Sequence, residues 1–495
     1  MSENKEITNE TNQKVASNKL VKKLKRTNRI LKVVVVILLL ACICLTTLFV
    51  RNTFFRGQTI SSTEDKITEA LNIMENEWYF GKDIDDLDER LLNQALTGIT
   101  TNEEDKHTYY MTSEEVESFI QGINRNFVGI GVQFISTNGI NMIQRVFKGS
   151  PAENAGVQAG DIIHSVDGTV VDNMSSTNIA DLVKGEEGTT VHIEFIRDGE
   201  TIPIDIVRGQ ISATVYGEVK DGIGYIEILQ FGESTASEVK LYLEDFIEQG
   251  ITDLIIDLRD DGGGYLTALQ SVGGLFLGKD KIALIEEDSS GKQETLKFDQ
   301  DQIWNSDGKI VLLVNGNTAS AAEAFTLAMK EQRSNVTIVG TTTYGKGTVQ
   351  VTEQFKDGSA IKYTTSKWLS SSETWVNGVG IEPDTTVELP EIISTTITQL
   401  DEDTVYEYDS VSDEVKIAQL ALEYLGYEVD RKDGYFSNST ITAITTFQKD
   451  HSLEETGKLD KTTYESIISA VTLDWNTTDT HDTQLHYAED LINGW

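Results

Sequence analysis

The chain has 495 residues, a net charge of −39, 39 glycines, four prolines and two cysteines. That length calls for several domains with ample core, and few prolines among many glycines suit folded α/β modules rather than disordered linkers. A body this acidic excludes nucleic acid, whose phosphates it would repel; the same charge makes a solubilising surface.

Residues 1–32 hold nine Lys/Arg against three acidic residues and read as a cytoplasmic N-terminus. Val33–Val50 is uncharged and predominantly apolar, and spans about 27 Å as a helix, enough to cross a bilayer. Lys22, Lys23, Lys25, Arg26, Arg29 and Lys32 precede it, while only Arg51 and Arg56 follow closely. The positive-inside rule then puts the rest of the chain outside the cell membrane as a single-pass protein. A cleaved signal peptide is the alternative, but the basic lead is long and no clear small-x-small site follows. Leu39-Leu40-Ala41-Cys42 loosely matches a lipidation site, with bulky Leu40 a poor fit. Cys42 and Cys44 both lie in the span, so the exported body has neither a disulfide nor a thiol nucleophile. Cysteine-protease and thiolate–zinc chemistries are closed.

Residues 59–126 form a helical region. Ile67, Leu71, Met74 and Trp78 predict a helix over 64–81, with an N-cap in Ser61-Ser62-Thr63-Glu64; Leu87, Leu91, Leu92, Ala95 and Ile99 predict a second over 87–99. These amphipathic helices offer a surface for a homodimer.

Residues 127–208 read as a small β-rich module. Phe127 to Phe134 alternates like a strand led in by glycines, and Gly160-Asp161-Ile162-Ile163 to Asp167-Gly168 reads as a strand closed by a turn. A short helix begins at Pro151, a second covers 179–184, and 191–197 pairs with 202–207 across Asp198-Gly199. Most of this stretch resembles a PDZ domain. The resemblance implies that Gly129, Ile130 and Gly131 hold a terminal carboxylate through their amides. Val132 and Phe134, with Ile179 and Leu182 on the facing helix, would line a pocket for an apolar C-terminal residue.

Residues 209–395 alternate strands and helices: strands at 223–229, 253–258, 310–314 and 336–339, helices at 237–249 and 319–330. Such alternation means an α/β layered core. The strand over 310–314 ends at Asn315-Gly316-Asn317-Thr318, and Ser320 opens the following helix, where helix N-terminal amides face any developing oxyanion. Taken alone, Ser320 is an ordinary N-cap. A serine nucleophile needs a base, yet none of the six histidines lies between residues 193 and 450. Lysine can serve if burial lowers its pKa from ~10.4; three pH units cost the charged form about 4 kcal/mol. Lys346, in Tyr344-Gly345-Lys346-Gly347, is the candidate; the loop lacks the P-loop pattern. Glu323, one helical turn from Ser320, or Gln350, four residues after Lys346, can orient that lysine. Gln350 suits better, because a carboxylate would keep the amine charged. Asp257-Leu258-Arg259-Asp260-Asp261-Gly262-Gly263-Gly264 ends a strand in a nest of amides fit for an anion. Its paired aspartates could suggest a metal, but no third ligand has obvious spacing. No metal or organic cofactor is required.

Together these motifs resemble the C-terminal processing, or tail-specific, peptidases, the S41 family of Ser–Lys proteases, over most of residues 64–390. The resemblance rests on Gly224-Tyr225-Ile226 to Phe231, Asp257-Leu258-Arg259, Ala319-Ser320-Ala321, Tyr344-Gly345-Lys346-Gly347 and Gly380-Ile381-Glu382-Pro383-Asp384 in that order. It implies a multidomain α/β protein with a ClpP/crotonase-like peptidase core and an inserted PDZ-like module. Ser320 would be the nucleophile, Lys346 the general base and Gln350 its orienter, with the oxyanion between the Ala321 amide and that of Gly263 or Gly264. The chain departs from the family where Asp260, Asp261 and Gly262 replace the usual Asn-Asn-Pro. It departs again at Asp105-Lys106-His107-Thr108 and in residues 366–373.

An acidic linker over 396–412 leads to a module over 413–472. Gln419, Leu422, Leu425, Ala443, Phe447 and Leu459 at helical spacing predict three helices with loops at Asp433-Gly434 and Gly457. It resembles a peptidoglycan-binding domain, so peptidoglycan is an expected partner. Residues 473–495 read as a polar tail without a role. The expected function is a membrane-anchored serine endopeptidase that cleaves exported proteins after its PDZ module takes their exposed C-terminal tails. A rival from another class is a catalytically inactive, wall-tethered PDZ scaffold, favoured by Asp260, Asp261 and Gly262. A third is a hydrolase acting on the wall itself.

Overall fold

The computed structural model describes residues 3–54, 62–137, 139–172 and 174–494, and the chain divides into units over Met1–Leu96 and Thr97–Trp495. In the first unit a helix runs Glu3–Phe54. Its stretch Lys19–Thr46 is long and apolar enough to cross a membrane. The side chain of Arg51, and Arg56 and Ser61 entirely, lie outside the described residues. The helix expected over 64–81 stops at Asn76 and gives way to a short turn of 3-10 helix, Tyr79–Asp83. Ser62 caps its start, taking the Asp65 N–H at 3.1 Å while the Asp65 carboxylate takes the Ser62 N–H at 3.3 Å.

The largest core of the second unit is built on a six-stranded sheet in the order Val215–Lys220, Ile223–Ile228, Leu254–Asp257, Ile310–Val314, Val336–Gly340 and Thr385–Thr386. The first pair is antiparallel and the rest are parallel. Near-continuous apolar strands are what a sheet covered on both faces requires. On one face Ile226, Ile256, Leu312 and Val314 pack beneath the helices Thr235–Glu248, Leu266–Leu277 and Ala321–Gln332, through Phe246, Phe276 and Phe325. On the other, Tyr225, Ile255, Val311 and Leu313 meet Leu485 and Ala488 of a helix over Thr483–Asn493. The expected polar tail is therefore an amphipathic helix that closes the sheet. A second, antiparallel sheet pairs Ala360–Leu369 with Tyr109–Met111, Ile282–Asp288 and Thr348–Gln354.

The β module is a six-stranded sheet ordered Val132–Thr137, Ile140–Val146, Ile162–Val166, Thr190–Arg197 and Glu200–Val207, with Thr169–Val170 paired to the third. The expected continuous strand from Phe127 to Phe134 is two strands. Asn126–Gly129 pairs with Gly209–Ser212, and the chain then breaks at Gly131, whose φ of +82° no extended strand adopts. A Cβ on Gly131 would lie 2.4 Å from that of Ser150. The facing helix, Ser176–Val183, starts earlier than expected because Ser175 caps it.

The C-terminal module has helices Asp413–Tyr424, Asn438–Asp450 and Lys461–Thr477. Two buried glutamines repeat one device. Gln419 takes the Gly434 N–H at 3.1 Å and donates to Thr440 at 2.9 Å; Gln448 takes the Gly457 N–H at 2.9 Å and donates to Thr463 at 3.0 Å. Each clamps a glycine loop to the start of the next helix.

Candidate active site

The loop after Ile310–Val314 is folded by its own side chains. Thr318 Oγ1 accepts from the Asn315 N–H at 2.9 Å and donates to the Leu258 carbonyl at 2.8 Å. The Ala319 N–H bonds the Asp261 carbonyl at 2.9 Å. These ties force Ser320 to φ +56°, ψ −115°, a costly conformation for a residue with a Cβ. The turn delivers its side chain into a cavity of about 420 Å³ lined by Ser320, Ala321, Gly262, Gly264, Lys346, Gln350, Lys362 and Trp368 among others. Ser320 forms a capping box with Glu323 at the head of its helix, and among the described residues Lys346 Nζ makes no hydrogen bond. Burial pushes the Lys346 amine below its ordinary value, opposed by the charges of Glu323 and Asp105.

Glu323 is fully buried and acts differently from expectation. Its carboxylate takes the N–H groups of Ser320 at 2.9 Å, Gly345 at 2.7 Å and Lys346 at 2.8 Å, and the Thr343 hydroxyl at 2.5 Å. It holds the Lys346 backbone, tying the Ser320 turn to the Lys346 loop. Gln350 lines the cavity, but its amide donates to Thr348 at 2.9 Å and Thr364 at 3.1 Å rather than meeting Lys346.

Of the two glycines considered for the oxyanion, Gly263 has its N–H bonded to Asp261 Oδ1 at 2.8 Å and does not line the cavity, whereas Gly264 does. A Cβ on Gly263 would sit 2.7 Å from the Ala319 carbonyl oxygen, so glycine there lets the loop lie against the Ser320 turn. Asp261 is fully buried with Oδ2 unpartnered, and burial holds its carboxyl well above the usual carboxylate range. Asp260 bonds Asn315 at 3.0 Å and Asn317 at 2.7 Å. Neither aspartate lines the cavity, so the substitutions do not fill the site with negative charge.

Motif reading missed several groups. Trp368 and Trp375 donate to the carbonyls of Lys346 at 2.8 Å and Gly347 at 2.9 Å, pinning the lysine loop. Gln230 donates to the Gly263 carbonyl at 2.5 Å. Lys362 and His107 stand within range of the Lys346 charge. Tryptophans scattered over a β stretch carry no local signal of this; only the fold brings them to one loop. Among the described residues there is no cluster of His, Cys, Asp and Glu able to hold a metal ion.

In the β module Ile179 is 0% exposed and belongs to the core rather than to the expected pocket lining, and the side chain of Ile130, expected to act through its amide, is also core at 2%. The Ile130 carbonyl accepts from Ala152 at 2.8 Å and that of Gly131 from Phe147 at 3.1 Å, which fixes the loop after Gly129. Val132, Phe134 and Leu182 are half-buried. Val132–Thr137 pairs on one side only and is the edge of its sheet.

The model of peptidase family S41 matches residues 222–387, that of a PDZ domain 142–197, and that of a putative peptidoglycan binding domain 411–467. A carboxy-terminal processing protease, CtpA, of Bacillus subtilis is 34% identical over 440 residues, 87% of this chain and 92% of its own. The chain belongs to the S41 carboxy-terminal processing proteases. A probable CtpA-like serine protease of Staphylococcus haemolyticus is 34% identical over 402 residues, covering 81% of this chain and 79% of that one. Among solved structures, a photosystem II D1 C-terminal processing protease aligns over 65% of this chain and 92% of its own, at 23% identity and a TM-score of 0.37. The S41 motifs thus sit on the fold as three linked pieces: the Ser320 turn, the Lys346 loop and the glycine run from Gly262 to Gly264.

Proposed function

We propose that this S41 peptidase is a membrane-anchored serine endopeptidase that cleaves exported proteins with Ser320 as nucleophile and Lys346 as base. What carries the proposal is that both side chains open into one cavity, beside the Ala321 and Gly264 amides, with the lysine held below its ordinary pKa. Among the described residues Nζ makes no hydrogen bond that would have to break as it turns toward Oγ, and such contacts are often loose in a free enzyme. The neutral amine takes the Ser320 proton as Oγ attacks the scissile carbonyl, and the two amides receive the oxyanion. Lys346 then protonates the leaving amine, and water attacks the acyl-enzyme through the same base. Gln350, anchored by two threonine hydroxyls, keeps its carbonyl oxygen for the lysine.

Recognition falls to the edge strand Val132–Thr137, where a substrate tail adds as a further strand and its carboxylate reaches the loop from Gly129 to Gly131. The helix around Val33–Val50 anchors the chain with its basic end inside, and the C-terminal module holds it to peptidoglycan. The scaffold alternative is weakened, since of the three departures that favour it Asp260 and Asp261 do not line the cavity and only Gly262 does. Ser320→Ala and Lys346→Ala should each abolish cleavage of a tailed substrate while melting within a few degrees of wild type. Full turnover by Lys346→Ala would remove the proposed base.

A further inference from the structure

A chain with 80 acidic residues and a net charge of −39 has carboxylates within reach of nearly every cation. Its half-buried lysines use them. Lys148, Lys220, Lys330, Lys367, Lys416 and Lys461 each meet an Asp or Glu oxygen between 2.6 and 3.0 Å. Among the described residues two half-buried lysines make no such pair, Lys346 and Lys362, and both line the catalytic cavity. A base that must give up its charge has reason to stand apart from carboxylates. The chemistry above supplies no such reason for Lys362.

Lys362 lies on Ala360–Leu369 opposite Thr352, which lines the cavity too. Its ammonium stands 4.6 Å from the centre of the Phe119 ring, itself part of the cavity wall, and 5.3 Å from that of Tyr109. It donates to the Tyr109 hydroxyl at 3.4 Å. Two of its three N–H bonds therefore have no protein acceptor among the described residues. Glu286 is the one carboxylate of the described lining, and it accepts the Ser366 hydroxyl at 3.0 Å instead of meeting Lys362. Burial, with the Lys346 charge behind it, pushes the Lys362 amine down to about 8, so at neutral pH it still carries its proton. Two aromatic faces favour that charged form, but no carboxylate does.

We propose that Lys362 is a specificity-determining residue, which receives a carboxylate of the bound substrate beside the scissile bond and favours substrates that carry one there. The proposal rests on this cavity being where Ser320 acts. Holding an ammonium half out of water without a counter-charge is unfavourable. An incoming carboxylate reverses that with charge-assisted hydrogen bonds to the N–H groups left open. The bound substrate then does for Lys362 what Glu287 does for Lys367 on the same strand, at 2.6 Å. An acidic side chain and the free end of the tail present the same anion, so either can fill the place.

The test is kcat/KM of the full-length protein on fluorogenic peptides cleaved at one common bond. They differ only in Glu or Gln at a single position flanking that bond, and each is made with a free C-terminus and as the amide. Wild type should favour the carboxylate over its neutral twin by at least about tenfold. Lys362→Met, which keeps most of the apolar stem and loses the charge, should bring that ratio close to one. Lys362→Glu should turn the preference toward Lys at the same position. A lost response to Glu against Gln assigns a side chain; a lost response to acid against amide assigns the chain end. Lys362→Gln replaces the Met variant if that one fails to fold. A Lys362→Met protein that slows every peptide alike and keeps the wild-type ratio makes Lys362 structural and overturns the proposal. A wild type indifferent to the carboxylate in every peptide overturns it too. Failure of the catalytic reading shows separately, as cleavage surviving in Ser320→Ala.

Discussion

Glu323 explains how one buried carboxylate can serve a lysine without touching its amine. Removing it leaves three N–H groups and a hydroxyl unpaired in the interior. Glu323→Ala should destabilise the core by about 3–5 kcal/mol, read as a lowered melting midpoint together with lost turnover. Asp261 makes a prediction of the opposite sign. Its folded pKa is raised, so its contribution is complete below about pH 4 and is lost as pH rises through the folded value. Asp261→Asn keeps the shape and removes the ionisation. It should melt with wild type near pH 4 and several degrees above it at pH 8, and a difference independent of pH would contradict this. At this scale Ser320 and Lys346 were legible only through the order of several motifs, since neither short motif is specific alone, and the fold brings both to one cavity. The work of Glu323 was not, since a carboxylate one turn from a serine looks like a capping residue until the lysine loop folds over it.

Helices and strands were legible where their apolar period was strong. The strands Leu254–Asp257 and Ile310–Val314 and the helix Ala321–Gln332 fall within a residue or two of expectation. The break at Gly131 was not, because alternation continues through it in sequence while its positive φ turns the chain. That turn frees Val132–Thr137 to be an edge, and it moves the recognition test to Val132, which is half-buried at the margin of the core rather than inside it. Val132→Asp should weaken cleavage of substrates with apolar C-termini at least tenfold, chiefly in KM, and leave a tailless peptide unaffected. Equal effects on both substrates would count against edge-strand recognition. Ile130→Asp would instead unfold the module, because Ile130 is core.

In the second unit the last helix, its cap Asp482 and the end of the helix before it tie distant parts of the chain together. Asp482 pairs with Arg259 at 2.9 Å, and Arg259 holds Asp257 at 2.5 Å at the strand end from which the glycine run departs. Gln484 donates to the Val387 carbonyl at 2.7 Å, and Gln144 of the β module donates to the Asn476 carbonyl at 3.0 Å. The pairs Asp482–Arg259 and Gln144–Asn476 join residues 223 and 332 positions apart, and the tail's polar composition gave no local sign of its docking face of Leu485 and Ala488. Asp482→Ala leaves Arg259 partly uncompensated and should cost about 3 kcal/mol of stability by chemical denaturation. Truncation after Thr478 should expose the sheet face and aggregate the protein.

The central claim is that a neutral Lys346 activates Ser320. Intact-mass time courses with an activated ester, comparing wild type, Ser320→Ala and Lys346→Ala, test it most directly. The account predicts an acyl adduct mapping to Ser320 in wild type, growing faster as pH rises through the depressed lysine pKa, and none in either variant. An adduct forming on Lys346→Ala at the wild-type rate, with the same pH dependence, would contradict it.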